Sequence, residues 1–325
     1  MENEILTPAQ IRQHNKELLQ RLRDHDQGEV KFASAEGSKM LKRRIYEEGF
    51  LRRILPEETV TDDDLTPQLS HEYPCILKGM EGLSKGAKSV PFGDSPEIET
   101  YRQDKYLCVF NSITTPDYTK DLNELRTFPG DLRQLVTNNS LIHMQTEEDA
   151  QFIATVNTIC GASNGNGAAG FRQHFDLGTG ISHTSFPDVT KIMPAFNLNT
   201  GCVLMNKGTA IEFTKWTRDQ IGGDLREKIF KMGVKAIEGE ILGLKIVVTM
   251  KRALVPDGVV YVFAEPGYLG HFMSLQAPTM TVKKERDFIS FGARETVSLT
   301  LANVAAVAKV TFNTTAFPTN VLALP

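Results

Sequence analysis

The stretch from residue 65 to 112 constrains this chain more than any other. Pro67, Pro74, Pro91 and Pro96 punctuate it, and Gly79, Gly82, Gly86 and Gly93 loosen it. Proline fixes φ and removes a backbone donor, so neither a long helix nor a central strand runs easily through such spacing. Only its end, KYLCVF at 105–110, reads as a strand. A domain core rarely tolerates so long a stretch with so little regular structure unless the stretch has a purpose. An extended hairpin projecting from a body accounts for it, and the remaining segments must supply that body.

The segment before it is helical and charged. Thr7 suits an N-cap, Pro8 the first helical position, and Gln10 closes a capping box. Ile11, Leu18, Leu19 and Leu22 make one apolar stripe, opposite Arg12, Lys16, Glu17, Arg21, Arg23 and Asp24. A second amphipathic segment covers about 38–55, with Leu41, Ile45, Leu51 and Leu55 apolar. It sets Lys39, Lys42, Arg43, Arg44, Arg52 and Arg53 against Glu47 and Glu48, and Glu57, Glu58, Asp62, Asp63 and Asp64 follow. The basic-then-acidic order reads as a solvated face, or as a charge-complementary arm reaching a neighbouring subunit, in preference to a nucleic-acid site. With few aromatics, residues 1–64 look like an arm whose apolar stripe is buried on something else.

After the extended stretch the chain is strongly ordered. Phe128-Pro129-Gly130-Asp131 starts a short helix to about Val136, and Thr146 caps a second helix ending near Cys160. Glu147, Glu148 and Asp149 then place negative charge at that helix's positive end, and Phe152, Ile153, Val156 and Ile159 form its buried stripe. From about 190 the pattern is α/β. Strands are expected at 202–206, 244–250 and 259–264, with short helices at 207–216 and 222–232 and Gly233 as a C-cap. Val255-Pro256-Asp257-Gly258 suits a type I turn with proline second. Further strands are expected at 279–284, 288–292, 297–301 and 305–312. No internal repeat is visible.

Composition excludes function classes without choosing one. With 325 residues, 41% hydrophobic and 23% charged, the chain can bury a real core and by length alone makes about two domains. A net charge of −4 offers no basic field for gripping nucleic acid. Cys75, Cys108, Cys160 and Cys202 form no CxxC and no zinc-finger spacing, so they read as buried free thiols in a reducing compartment. The start, MENEILTPAQ, has no signal-peptide core, and the apolar run at 259–264 is far short of the ~20 residues that cross a membrane. A soluble, intracellularly made protein is expected.

GNGAAG at 165–170, with Asp188 beyond it, matches G-x-G-x-x-G. A dinucleotide site needs a strand before the glycines and a helix after them; here a helix precedes and no helical periodicity follows. A glycine-rich connector is the better reading. His174, Asp176, His183 and Asp188 lie close in sequence but lack a regular metal-ligand spacing. Cys160 could pair with His174 or His183, but a helix C-terminus would raise its pKa. No P-loop, G-x-S-x-G elbow, H-E-x-x-H or EF-hand loop occurs. The residues thus assign no catalytic group, cofactor or metal.

The order of elements, taken with several short matches, resembles the major capsid proteins of tailed bacteriophages, whose fold is named after phage Hong Kong 97. The likeness covers about 65–312. VLMNKGTAIEFTKWTRDQIGG at 203–223 carries Leu204, Met205 and Asn206, then Asp219 and Gly222. ILGLKIVVTMKRALVPDG at 241–258 carries Gly243 and Val247, and VYVFAEPGYLG at 260–270 and KKERDFISFGARETVSLTL at 283–301 follow in family order.

The resemblance implies an α+β capsid fold with four parts. These are an N-terminal arm at 1–64, an extended loop at 65–112, and a peripheral domain at 113–165 and 278–295 with a spine helix at 146–160. The fourth is an axial domain at 166–277 and 296–325. It implies a non-enzymatic subunit that self-assembles as hexamers and pentamers into an icosahedral head enclosing double-stranded DNA. It also implies a virion location after assembly in the host cytoplasm. The implied partners are other copies of the chain, a separate scaffolding protein, a portal, a decoration protein and packaged DNA held non-specifically, with no membrane. Asp219 is expected to support the turn before Gly222. The family's best-known member cross-links a loop lysine to a neighbour's asparagine. Lys78, Lys85 and Lys88 are available here, but the segment Phe291–Arg294 offers no asparagine, so that chemistry is not carried over. Two alternatives stand beside this reading: an encapsulin-like compartment shell, and a cytosolic nucleotide-binding α/β enzyme using GNGAAG.

Overall fold

A computed structural model describes residues 49–67, 73–80, 89–92, 104–121, 132–217, 220, 239–241, 243–285 and 288–313. In chain order its elements begin with α1 (Leu51–Ile54), β1 (Glu57–Thr59), β2 (Cys75–Met80), β3 (Asp104–Val109), β4 (Asn111–Thr114) and β5 (Tyr118–Asp121). They continue with α2 (Leu132–Cys160), β6 (His174–Asp176), α3 (Phe186–Thr190), α4 (Ile192–Ala195), β7 (Thr200–Asn206) and α5 (Lys207–Ile211). Next come β8 (Gly239–Ile241), β9 (Leu244–Thr249), β10 (Val259–Ala264), α6 (Pro266–Leu269), β11 (His271–Glu285), β12 (Phe288–Thr300) and β13 (Val307–Thr311).

One sheet runs β6-β13-β10-β7-β9-β8. Its centre is β10, buried along its whole length, which is why VVYVFA reads as an unbroken apolar run. Strand alternation turns Tyr261 and Phe263 toward α2. There the Tyr261 hydroxyl donates to Asn157 Oδ1 at 3.1 Å, and the Phe263 and Phe152 rings lie 5.3 Å apart. Val260 and Val262 occupy the other face and are fully buried. Phe186 of α3 meets Phe213 edge-on at 4.9 Å, and Trp216 closes that cluster. Asn206 fixes the end of β7. Its side chain caps α5 by accepting from Gly208 N and donates to Val255 O at 2.8 Å, which holds the 250–258 loop.

The second sheet runs β1-β11-β12-β4, with β5 also on β12. It is built on two long antiparallel strands, β11 with 15 residues and β12 with 13. The expected separate strands 288–292 and 297–301 are one strand. Glu295 interrupts the apolar alternation between them, yet it is buried and paired (below), so no break is needed. The turn at 255–258 also differs by one residue from expectation. Val259 N bonds Pro256 O, which puts Gly258 third with φ +79°, the conformation a type II turn reserves for glycine.

β2 and β3 form an antiparallel two-stranded sheet from Cys75↔Val109 to Met80↔Asp104, so the proline-punctuated stretch is a hairpin over its described residues. Ile76, Cys108 and Phe110 root it on Val60 and Met273. Lys78 lies 4.0 Å from Glu58, while Lys85 and Lys88 fall outside the described residues.

Over the described residues the two helices expected at 128–136 and 146–160 are a single 29-residue helix, α2, and the expected start at 128–131 lies outside those residues. Thr146 is not a cap. It sits in mid-helix, its hydroxyl donating to Ile142 O at 2.6 Å, a bond that leaves the helical ladder intact. The end near Cys160 is as expected, with Gly161 beyond it at φ +67°. Thr7, Pro8, the 1–48 stripe, Asp219, Gly222, the 222–232 helix and Gly233 all lie outside the described residues. The described end of the segment expected as an arm, from residue 49 on, is built into this chain's own body. Phe50, Leu51, Ile54 and Leu55 join the main core, and β1 pairs in parallel with β11. The reading of Arg52 as part of a solvated face is therefore corrected: it is 3% exposed.

Candidate functional site

Among the described residues the densest chemistry lies where α1, β1, α2 and the two sheets meet. Its origin is visible in α2. Met144, Glu148 and Phe152 are four residues apart and share one buried helix face. Asp149 is buried beside them. Two adjacent acids turned into a core require partners.

Arg52, on α1, supplies the first. Its Nε donates to Glu148 Oε2 at 3.1 Å and its Nη2 to Glu148 Oε1 at 2.5 Å, a two-pronged pair. The same Nη2 reaches Glu295 Oε2 of β12 at 3.1 Å, and Nη1 reaches Glu57 Oε2 of β1 at 2.6 Å. The side chains of Arg52, Glu148 and Glu295 are 0% exposed and that of Glu57 10%. The guanidinium lies over the Phe272 ring of β11, 5.3 Å from its centre. One cation thus faces three carboxyl groups. Burial pushes the Glu295 carboxyl up to about 9, the Glu148 charge adds to that, and Arg52 only partly opposes it. The cluster therefore holds a proton at neutral pH.

Asp149 makes the second set of ties. Its Oδ1 accepts from Leu51 N at 3.0 Å, and its Oδ2 binds Lys251 Nζ at 2.5 Å. Lys251 also donates to Gln145 O at 2.9 Å. Burial raises the Asp149 carboxyl, with Lys251 opposing. Through these contacts α2 is pinned to α1, to β12 of one sheet and to the 250–258 loop of the other. Sequence reasoning missed Arg52, Glu148, Asp149, Lys251 and Glu295 as a group. The available signal was their position: a charge within an apolar face, at Glu148 between Met144 and Phe152 and at Arg52 between Leu51 and Ile54.

In the glycine loop, Gly167 N bonds Phe171 O, Ala168 N bonds Ile159 O, and Ala169 N bonds Gln173 Oε1. These donors are spent inside the chain and are not offered to a phosphate. The next element is the strand β6 and not a helix, in keeping with the lack of helical periodicity after the glycines. A Cβ on Gly167 would come within 2.6 Å of Ile159 O, so this glycine serves close backbone approach. His174 is buried with Nε2 2.9 Å from Thr311 Oγ1, and burial followed by Lys309 lowers its pKa. Cys160 is buried and its thiol is pushed up to about 12, away from nucleophilic chemistry. Among the described residues no three His, Cys, Asp or Glu side chains gather as a metal site, so His174, Asp176, His183 and Asp188 are not brought together as one. All four cysteines are free and buried. An open cavity of about 580 Å³ lies against Phe171, Phe175, Leu177, Ile192 and Phe196, and its lining is mostly apolar.

Solved structures give the architecture a context. The mature capsid of bacteriophage PhiM1 superposes with a TM-score of 0.55 at 9% identity, over 83% of this chain and 88% of that one. The capsid of a native GTA particle gives 0.56 at 14% identity, over 81% and 89%. The chain has the Hong Kong 97-type capsid fold. A virus-like particle from Pyrococcus furiosus fits the same capsid fold at 0.52 and 14% identity, over 85% of this chain and 98% of that one. No protein-family model and no curated relative matches the sequence. The α+β capsid fold that the short motifs implied is thus the fold observed, although its neighbours share few residues with this chain.

Proposed function

We propose that the chain is the major capsid protein of a tailed bacteriophage, assembling as hexamers and pentamers into an icosahedral head around double-stranded DNA. One observation carries this reading: the capsid fold runs through most of this chain and most of each shell subunit it resembles. Residues 1–64 act as the arm and 65–112 as the loop laid on an adjacent subunit. Residues 113–165 with 278–295 form the peripheral domain, and 166–277 with 296–325 the axial domain. The physics supports it. A closed shell needs many modest interfaces repeated by symmetry and no active pocket. A near-neutral subunit also does not grip packaged DNA tightly enough to hinder its exit. A separate scaffolding protein, a portal and a decoration protein complete the assembly, which takes place in the host cytoplasm and ends in the virion. The role is structural and not catalytic.

Negative-stain microscopy of the expressed full chain tests this. Closed shells, tubes or rings of five or six subunits are expected. A well-behaved monomer at high concentration, with and without a scaffold partner, overturns it. Nucleic acid inside isolated particles identifies a head, whereas protein cargo identifies a compartment shell.

A further inference from the structure

We propose that the Arg52 cluster is a proton-operated latch on segment 50–59: a proton on Glu295 keeps the segment seated, and its loss loosens it. The geometry requires a proton somewhere in the cluster. Among the described residues Arg52 is the one cation that pairs with Glu57, Glu148 and Glu295, and the nearby Lys251 is engaged by Asp149. From β11 the cluster meets the Phe272 ring, and from β4 the hydroxyl of Ser112, which donates to the Glu295 main-chain oxygen; neither brings charge. Glu295 Oε1 is buried without a hydrogen-bond partner, so a second full charge there would be neither paired nor hydrated. Deprotonation leaves two buried anions and Glu57 competing for one guanidinium.

Of the parts that meet here, the segment is the one with least to hold it. α2 has 29 residues and β12 has 13 and neighbours on both edges. α1 has four residues, and β1 has three and, among the described residues, pairs along one edge only. The latch belongs to the single subunit and works whether or not the chain forms shells. In a shell it would make the seating of the arm root respond to pH.

Hydrogen exchange on the full-length, unassembled chain between pH 6 and 9, corrected for the intrinsic pH dependence of exchange, tests the latch. The opening equilibrium of amides in 51–60 is expected to rise with pH by up to about tenfold per unit while the seated cluster keeps its proton, and to level off once that proton leaves, while amides near 152–157 of α2 stay level. Glu295→Gln should abolish the rise. Glu57→Gln removes a neighbouring anion, so the pH at which the rise levels off should move down while the steepness below it is kept. The exposed His271–Glu58 pair, 2.7 Å apart on the same β1–β11 seam, is the control, and His271→Asn should leave the rise in place. A flat wild-type profile overturns the latch. So does a rise that survives Glu295→Gln, disappears with His271→Asn, or levels off at an unchanged or higher pH in Glu57→Gln. If Glu295→Gln does not fold, the Glu57 and His271 variants still decide the matter.

Discussion

Replacing Arg52 by methionine keeps a flexible side chain in place and removes the cation. Four charge-assisted contacts go: two to Glu148, one to Glu295 and one to Glu57. The carboxyl groups of Glu148 and Glu295 stay in a site with 0% exposure. Removing one partner of a buried ion pair costs about 3–5 kcal/mol, a large share of the ~5–15 kcal/mol that holds a typical domain together. The penalty depends on pH with a definite sign. Glu295 already has a folded-state pKa raised to about 9, so its contribution is full below the ordinary carboxylate range and is lost as pH rises through 9. Without Arg52 the carboxyl groups bind protons still more tightly in the folded state. The variant should therefore lose stability with rising pH by up to about 1.4 kcal/mol per unit for each carboxyl that must stay protonated. Urea unfolding followed by circular dichroism at pH 5 and pH 8 measures it. One fixed concentration of unassembled subunit is needed, because self-association adds stability by mass action. Arg52→Met should be mildly destabilised at pH 5 and strongly at pH 8, and Arg52→Met/Glu148→Met/Glu295→Met should recover most of the loss. A deficit below about 1 kcal/mol, or the same deficit at both pH values, refutes the reasoning.

Other outcomes follow from the same structure. Thr146→Ala should stabilise the chain by a few tenths of a kcal/mol, because an exposed mid-helix threonine gives way to a better helix former; an N-cap would instead lose about 1 kcal/mol on the same urea curve. Gly167→Ala should lower stability by about 1–3 kcal/mol, since its Cβ meets the Ile159 carbonyl, and added nucleotide should leave the melting temperature of both forms unchanged. The buried thiols of Cys160 and Cys202, each pushed up to about 12, should resist a soluble thiol reagent in the native state and react on unfolding. Rapid native-state labelling at either would contradict their burial.

Local signals made much of the fold readable. β7, β9, β10 and β13 are short β-branched or apolar runs bounded by polar or turn residues, and their positions followed from that alone. The hairpin was foreshadowed by proline and glycine spacing, although β2 was not separately legible beside Pro74 and Gly79. Strand partners were not legible at all. β9 and β10 are consecutive in sequence, yet β7 lies between them, and only long-range register decides that. Helix α2 was misread because Thr146 followed by three acids is a strong cap signature. The signature is local, while the energy that continues the helix is not.

The candidate site shows the same division. By itself the sequence indicated a proline- and glycine-punctuated hairpin, then helical segments, then a strand-rich body in that order, and it showed that no familiar catalytic motif is present. Tertiary structure decided where Glu148, Asp149 and Glu295 go. In the sequence they are ordinary acids on an amphipathic helix and in a strand. In the fold they converge on Arg52 and Lys251 at the junction of every layer. Burial makes the difference, because a carboxyl group removed from water must find a cation or keep its proton. No local pattern of residues reports which groups the fold will remove.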